Sequence, residues 1–470
     1  MLTRVTPALI VLALGATLRF LFLETRSLWF DEALTVLVAG QPLARLHWAL
    51  MHFEAGPPLY SVLMHFWLTL FSDPRLGLRV FSALCGIGAL VAFRALSVRL
   101  LPERARLLSL FLAAVSSYWL HLSQDGRNYA LLSLIVVCQA RLTLELTRRP
   151  TRKLWAAYAA LGVVGLYTHY FFGMILAAHA AWLLWKRPRE RAVDVCVHAV
   201  IAAAYLPWLS SFLTQFATHR GDQVVADPLT LRHLCGLIGT QFFDVTYLGL
   251  LLPHWFTPAV GALILLACVA GARRADDGER EAQTFLLWHA AAFAILVAAA
   301  ELLCGRPITQ ARYFAPMAPF LFLLVALVLS RPGRPIQAAR LALEALVAVG
   351  AVGYFVSGRL IDPRLDHLAA VIRSTDRRLP VVYLETYYYT PMRYYYLPER
   401  THVIVAEASE GIDYRTFPPY DGVAARERLR RLGPCVLLDE KHILGAPAVS
   451  LADGAQVAGL IARSPLAAKK

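Results

Sequence analysis

Long apolar runs separated by short basic turns constrain this chain more than any other feature. The runs recur along most of the sequence, and a helix of about 20 such residues crosses the hydrocarbon core of a bilayer. Of the 470 residues, 58% are hydrophobic and only 17% are charged, and the mean hydropathy is +0.53. This composition excludes an ordinary soluble protein and a disordered one. The sequence therefore predicts an all-α polytopic membrane protein.

The basic residues lie in short clusters between the apolar runs. The net charge of +14 would also suit a nucleic-acid-binding protein, but this distribution follows the positive-inside rule for cytoplasmic turns. No nucleic acid partner is therefore expected, and the bilayer is the expected environment. The clusters assigned to the cytoplasmic side are Arg99–Arg106, Arg148–Lys153, Lys186–Arg191, Gly271–Arg280 and Arg331–Arg340.

Placing these clusters inside predicts about eleven transmembrane helices within a domain of residues 1–358. The run Pro58–Phe71 is too short for a span and is predicted to lie on the outer face as an interfacial helix. Residues 359–470 are predicted to form a small α/β domain on the periplasmic or extracellular side. Its predicted strands are Val381–Glu385, His402–Glu407 and Cys435–Lys441, and its predicted helix is Val423–Leu432.

Charged and polar side chains collect on the outer side of this topology. A tyrosine at a helix end is ordinary in an interfacial aromatic belt. Four separated carboxylates on one face are not, because charge near lipid is costly unless it has a use. The pattern indicates a functional site at the outer interface. Its residues are Asp31, Glu32, Glu54, Asp125, Arg127, Tyr129, His169, Arg312 and Tyr313.

Motifs carrying these residues, in this order, resemble those of the membrane glycosyltransferases with the GT-C fold. The similarity is to bacterial relatives of protein O-mannosyltransferases and to the lipid A aminoarabinose and galacturonic acid transferases. It extends over about Leu18–Leu329, and Asp125 stands where many relatives have glutamate. The motifs are "SLWFDEA" (Ser27–Ala33), "HFEAGPPLY" (His52–Tyr60), "SQDGRNYAL" (Ser123–Leu131), "LYTHYF" (Leu166–Phe171) and "RYFAPMAP" (Arg312–Pro319).

The resemblance implies transfer of a sugar from a polyprenyl phosphate to a hydroxyl of a glycolipid, glycan or protein at the outer face. A carboxylate accepts the hydroxyl proton, and the catalytic residues implied are Asp31, the candidate base, and Glu32, which shapes the loop or binds the acceptor. A guanidinium matches the phosphate of the donor. The relatives imply no metal and no cofactor. Donor or acceptor binding is assigned to Glu54, His65, Asp125, Arg127, Tyr129, His169, Arg312 and Tyr313.

Alternatives remain open at this point. Asp31 suits the N-cap of a following helix, and Asp125 and Arg127 suit a mutual ion pair. Arg312 suits a lipid head-group anchor. As a whole, the chain also suits a polysaccharide ligase or polymerase that uses polyprenyl carriers, or a transporter. A receptor whose tyrosines in Thr386–Tyr396 stack on glycans is a further possibility.

Overall fold

The structure, a computed structural model, is dominated by helices. It describes residues 2–218, 229–243, 252–272, 277–305, 308–360, 365–383, 391–400, 402–405, 423–424, 434–439 and 448–453. The helices are α1 (Leu2–Phe20), α2 (Phe30–Ala39), α3 (Leu43–Phe53), α4 (Leu59–Trp67), α5 (Pro74–Leu100), α6 (Glu103–Val115), α7 (Ser117–Gln124), α8 (Tyr129–Arg148), α9 (Arg152–Leu166), α10 (Phe172–Lys186), α11 (Arg191–Thr218), α12 (Leu231–Phe242), α13 (Phe256–Ala272), α14 (Asp277–Cys304), α15 (Ala318–Leu329), α16 (Arg334–Leu360) and α17 (Leu365–Arg373).

Membrane-length helices are present throughout the described part of the first 360 residues. Six segments there are long and apolar enough to cross a bilayer, and a seventh is obtained if α6 and α7 count as one bent span. Shorter apolar helices lie in α1, α4, α10 and α13. The multi-pass architecture is confirmed, whereas the number of eleven spans stays a prediction. The six segments are α5, α8, α11, α14, α16 and the stretch Ala311–Leu329.

Helix α15 forms the centre of the bundle. Every one of its residues is buried, which is expected of a helix that is apolar on all sides. It packs against α6, α13 and α14. The 3₁₀ segment Ala311–Met317 precedes it and carries Arg312. The predicted helix from Tyr313 therefore begins with a tighter 3₁₀ turn.

The predicted span Leu107–Leu120 is not a straight helix. It breaks at Ser116, where α6 and α7 meet at an angle of 50°. The Ser116 hydroxyl accepts the Trp119 N–H at 3.2 Å and donates to the Gln241 carbonyl at 2.7 Å, so the break is held by side-chain capping. At the end of α7, the amide of Gln124 donates to the carbonyls of Leu18 and Leu21 at the end of α1. This contact ties the two helix ends together.

Between α1 and α5 the chain forms three short helices, α2, α3 and α4. The predicted interfacial helix corresponds to α4 followed by the 3₁₀ turn Leu68–Leu70. Leu63, Phe66 and Leu70 are exposed on this stretch. Such a surface suits a helix lying against lipid. The face of the membrane on which it lies stays a prediction.

The C-terminal part contains a five-stranded sheet. Its strands are β1 (Val381–Tyr383), β2 (His402–Val405), β3 (Val423–Ala424), β4 (Pro434–Asp439) and β5 (Ala448–Asp453), in the order β3-β2-β1-β4-β5. The first four run parallel, and β5 is antiparallel to β4. The three predicted strands are confirmed over the residues that the structure describes, and β4 begins one residue earlier than predicted, at Pro434; residues 384–385, 406–407 and 440–441 lie outside the described part. The predicted helix Val423–Leu432 is wrong at its start, because Val423 and Ala424 pair with β2; residues 425–432 lie outside the described part.

Candidate functional site

The site is organised by the first turn of α2. This helix begins at Phe30, and the extended residue Trp29 is its N-cap. The alternative that Asp31 is the N-cap is therefore wrong. Asp31 and Glu32 instead follow the cap as successive helical residues, about 100° apart around the axis, so their side chains face different surroundings. Both positions are favourable for negative charge near a helix N-terminus.

Asp31 forms a partly exposed ion pair. Its Oδ2 lies 2.5 Å from Nη1 of Arg312, and the two side chains remain 17% and 26% exposed. Nε of Arg312 donates to Oε1 of Gln310 at 2.6 Å, and its guanidinium carbon lies 5.5 Å from the ring centre of Tyr313. A solvent-accessible carboxylate and a solvent-accessible guanidinium thus meet from opposite parts of the sequence.

Glu32 is buried in a different ion pair. Its two carboxylate oxygens accept from Nε and Nη2 of Arg79 at 2.9 and 2.7 Å, and both side chains are less than 5% exposed. The remaining Arg79 donors bind the carbonyls of Leu23, Arg26 and Ser27 at 2.7–2.8 Å. All five N–H groups of the guanidinium are therefore used. Arg79 links α5 to the segment that precedes Asp31.

Gly126 completes the environment of Glu32. Its N–H donates to Glu32 Oε1 at 2.8 Å. A Cβ at this position would lie 2.8 Å from Cβ of Leu78 and 3.0 Å from Glu32 Oε1. The close approach of the backbone to the carboxylate therefore requires glycine.

Arg127 bridges two loops and α2. Its Nη2 lies 2.6 Å from Oε1 of Glu54, and its Nη1 donates to the Thr35 hydroxyl at 2.8 Å and to the Asp31 carbonyl at 3.2 Å. Arg127 thus pairs with Glu54, and the alternative of a mutual Asp125–Arg127 ion pair is wrong. Arg127 also holds the backbone carbonyl of Asp31, whereas Arg79 holds carbonyls of the preceding loop.

Asp125 is buried and binds an aromatic partner instead. Its Oδ1 accepts the indole N–H of Trp29 at 2.9 Å. Burial, followed by the nearby charge of Glu32, raises the pKa of Asp125 to about 7. Near neutral pH this carboxyl is therefore partly protonated, in contrast to an exposed aspartate.

Aromatic rings line the other side of the Asp31–Arg312 pair. The ring of His169 lies 5.6 Å from that of Tyr129 and 5.8 Å from that of Tyr313, which stacks on Phe171 at 4.8 Å. Burial, together with the charges of Arg127 and Arg312, lowers the pKa of His169 to about 3. The imidazole is therefore neutral at physiological pH, and its Nδ1 accepts the Phe171 N–H at 3.1 Å.

His65 lies away from this cluster. Its Nδ1 bonds to the carbonyl of Ala39, at the opposite end of α2 from Asp31. Eight residues of helix separate Asp31 from Ala39, which corresponds to about 12 Å. Within the described residues, no three His, Cys, Asp or Glu side chains form a group that could hold a metal ion. That catalysis needs no metal stays a prediction.

Sequence reasoning missed Arg79, Trp29 and Gly126. Arg79 had a signal, because a charged residue near the start of the apolar run Leu76–Val98 needs a buried partner. Trp29 resembles an ordinary interfacial aromatic residue in sequence. Gly126 resembles an ordinary turn glycine, and only the approach of Glu32 reveals its role.

Comparison with known proteins extends these observations. Residues 55–214 match the family model for dolichyl-phosphate-mannose-protein mannosyltransferase. That region includes His65, Asp125, Arg127, Tyr129 and His169. No protein in the curated collection matches the sequence.

Solved structures match over most of the chain. ArnT from Cupriavidus metallidurans in the apo state superposes with a TM-score of 0.59 at 14% sequence identity, covering 96% of this chain and 98% of ArnT. ArnT bound to undecaprenyl phosphate gives 0.58 at 14% identity, covering 92% of each chain. The apo oligosaccharyltransferase of Archaeoglobus fulgidus gives 0.50 at 14% identity, covering 85% of this chain and 64% of that enzyme.

The expected fold is confirmed by these superpositions, and the match over residues 55–214 agrees with the motifs recognised in the sequence. The chain is therefore a multi-pass membrane protein of the GT-C fold that resembles the polyprenyl-phosphate-sugar-dependent glycosyltransferases.

Proposed function

We propose that the protein transfers a sugar from a polyprenyl phosphate to an acceptor hydroxyl at the outer face of the membrane, with Asp31 as general base. The observation that carries this proposal is the partly exposed pair of Asp31 and Arg312, residues 281 positions apart in the sequence. A base and a phosphate-binding group are thereby side by side. The ArnT structure with undecaprenyl phosphate supports a polyprenyl-linked donor.

The chemistry needs one displacement. Asp31 accepts the proton of the acceptor hydroxyl as its oxygen attacks the anomeric carbon of the sugar. The bond between that carbon and the phosphate oxygen breaks, and its electron pair leaves with the polyprenyl phosphate. The phosphate thereby gains a negative charge, which the Arg312 guanidinium stabilises. A single displacement inverts the configuration of the anomeric carbon and needs no covalent intermediate.

The resting ion pair implies an order of events. Oδ2 of Asp31 is occupied by Nη1 of Arg312 at 2.5 Å, so this oxygen is blocked from an acceptor hydroxyl while the pair is intact. The phosphodiester of the donor offers Arg312 two oxygens for a bidentate contact, whereas Asp31 makes a single contact with it. Binding of the donor would then release Asp31 for the acceptor. We therefore expect the donor to bind before the acceptor, and random-order steady-state kinetics would contradict this exchange.

The surrounding residues fit supporting roles. Tyr313 is partly exposed and can contact a sugar, whereas Tyr129 is buried beside His169; the neutral His169 keeps its Nε2–H as a donor to a hydroxyl. Arg127 and Glu54 hold the backbone around Asp31. A transport relay has less support, since Glu145, Asp194 and Glu344 pair locally with Arg99, Arg187 and Arg340.

Loss of the gene is the direct test of the reaction. Mass spectrometry of envelope glycolipids, glycans and glycoproteins should reveal one species that lacks a sugar in the deletion strain. Purified protein in nanodiscs, incubated with lipid extract of that strain, should restore the sugar and release polyprenyl phosphate. Transfer of a whole glycan chain would identify a ligase instead. An unchanged envelope and no release of polyprenyl phosphate would contradict the proposal.

The proposed outer location is tested separately. In a variant otherwise free of cysteine, Ala455→Cys should react with a membrane-impermeant maleimide in intact spheroplasts. Cys substitution in the basic cluster at Arg189 should react only after lysis. The reverse pattern would place the C-terminal domain in the cytoplasm.

A further inference from the structure

Two residues in the segment before α2, Ser27 and Leu28, contact the C-terminal domain. Ser27 Oγ accepts the N–H of Leu365 at 2.8 Å, and the N–H of Leu28 donates to the hydroxyl of Tyr396 at 3.0 Å. Both hydrogen bonds join positions more than 330 residues apart. The segment before Asp31 is therefore held from outside the transmembrane domain as well as by Arg79.

Apolar contacts also join the start of α2 to the C-terminal domain. Leu28 is fully buried, and with Ala33 it belongs to the core of the C-terminal domain rather than to the main core of the bundle. One hydrophobic core thus spans the start of α2 and the outer domain. The domain side chains in that cluster are Leu365, Leu368, Ala369, Ile372, Val381, Tyr383, Met392, Tyr396, Leu397 and Val436.

Tyr396 is held in place by contacts within the C-terminal domain. Nη2 of Arg373 in α17 donates to the Tyr396 carbonyl, and the Tyr396 side chain is only 7% exposed. Its hydroxyl is therefore presented to Leu28 by a constrained backbone. The neighbouring Tyr395 bonds elsewhere, with its hydroxyl on Oδ1 of Asp73 at the start of α5.

We propose that the C-terminal domain is a positioning element of the reactive site, and that Tyr396 is a positioning residue that holds Leu28 and thereby the first turn of α2, with Asp31, in the geometry needed for transfer. This inference rests on the proposed function. Removing the hydroxyl leaves the buried Leu28 N–H without its acceptor. The segment that carries Leu28 then becomes more mobile, and Asp31 is displaced more often from its reactive position. Small displacements of a reacting group lower the rate of reaction strongly.

The test compares two adjacent tyrosines. Tyr396→Phe should lower kcat roughly five- to fiftyfold in nanodiscs while the donor KM changes less than about twofold. Tyr395→Phe removes one hydroxyl from the same segment but not from the loop that carries Asp31, so its kcat should stay near that of the wild type. Equal effects of the two substitutions, or no effect of Tyr396→Phe, would overturn the proposal.

A readout without turnover separates this proposal from the assignment of Asp31. Hydrogen–deuterium exchange of peptides covering residues 27–35 should become faster in Tyr396→Phe and not in Tyr395→Phe. If Tyr396→Phe does not fold, Ser27→Ala removes the acceptor of Leu365 N–H and should give the same exchange signature. Unchanged exchange in the variant tested overturns the positioning role. Full turnover in Asp31→Asn would instead contradict the assignment of Asp31 as the base, without affecting the exchange result for Tyr396.

Discussion

Asp31 and Glu32 are neighbours in the chain, and each is paired with an arginine, yet their environments are opposite. The Asp31–Arg312 pair is partly exposed and has one direct contact between the two side chains. The Glu32–Arg79 pair is nearly inaccessible, and both carboxylate oxygens and all the guanidinium N–H groups have partners. The first pair can exchange partners with a substrate. In the second pair every guanidinium N–H group and both carboxylate oxygens already have a partner, and the pair holds the loop that precedes Asp31.

The difference teaches that charge alone does not identify a reactive carboxylate. A base needs a lone pair that a substrate can reach, whereas a buried, saturated carboxylate is costly to disturb. Because Asp31 and Glu32 are successive residues of α2, their side chains point in directions about 100° apart, so one is accessible and the other is buried. We therefore propose a chemical role for Asp31 and a positioning role for Glu32, and each proposal can be tested.

The largest expected effect is on turnover. Asp31→Asn is nearly isosteric but cannot accept a proton, so kcat should fall on the order of 10²–10⁴-fold. Melting temperature should stay near that of the wild type, and affinity for undecaprenyl phosphate should be kept or increased, since Arg312 loses its partner. Both are measured on purified protein in lipid. Near wild-type turnover would remove Asp31 as the base and favour Glu54 or Asp125.

Glu32→Gln should show the opposite profile. It leaves the buried guanidinium of Arg79 without its counter-charge, which costs about 3–5 kcal/mol of unfolding free energy. The readout is thermal and denaturant unfolding in detergent. Glu344→Gln is the matched control, because its ion pair with Arg340 is exposed and is expected to contribute less than about 1 kcal/mol. Equal stability of the two variants would contradict the proposal that the buried Glu32–Arg79 pair stabilises the fold.

A smaller loss is expected at the partner of Asp31. Arg312→Lys keeps the charge but loses the planar fork that matches phosphate, so kcat/KM for the donor should fall about 10- to 100-fold. Isothermal titration with undecaprenyl phosphate should show weaker binding. Arg75→Lys, in the similarly exposed pair with Asp73, is the control and should leave both values unchanged. Unaltered kinetics in Arg312→Lys would leave it a lipid anchor.

The smallest effect, taken per pH unit, is a pH dependence of stability at Asp125. Because burial raises its pKa to about 7, the folded state keeps a proton that the unfolded state releases above about pH 4. This carboxyl therefore lowers stability as pH rises from about 4 to 7, by at most about 1.4 kcal/mol per pH unit. Asp125→Asn should remove that slope. Parallel melting curves of the two proteins between pH 4.5 and 7.5 would contradict it.

The sequence alone determined the class of architecture. Apolar runs and basic turns are local signals, and the spans predicted from them correspond to helices in the described structure, apart from the break at Ser116. The strands at Val381, His402 and Cys435 were likewise readable from short β-rich stretches. Motif order was enough to indicate the GT-C fold.

Only the tertiary structure decided which charge pairs with which. Arg127 lies two residues from Asp125 but pairs with Glu54. Asp31 pairs with Arg312, which lies 281 positions later in the sequence. Arg79 and Tyr396 also contact the segment around Asp31, and none of the five motifs contains them. Helix formation depends on periodicity within a few turns, whereas ion pairing and burial depend on segments that only the packed chain brings together. The exposure that separates Asp31 from Glu32 arises in the same way, because it is a property of the packed surroundings.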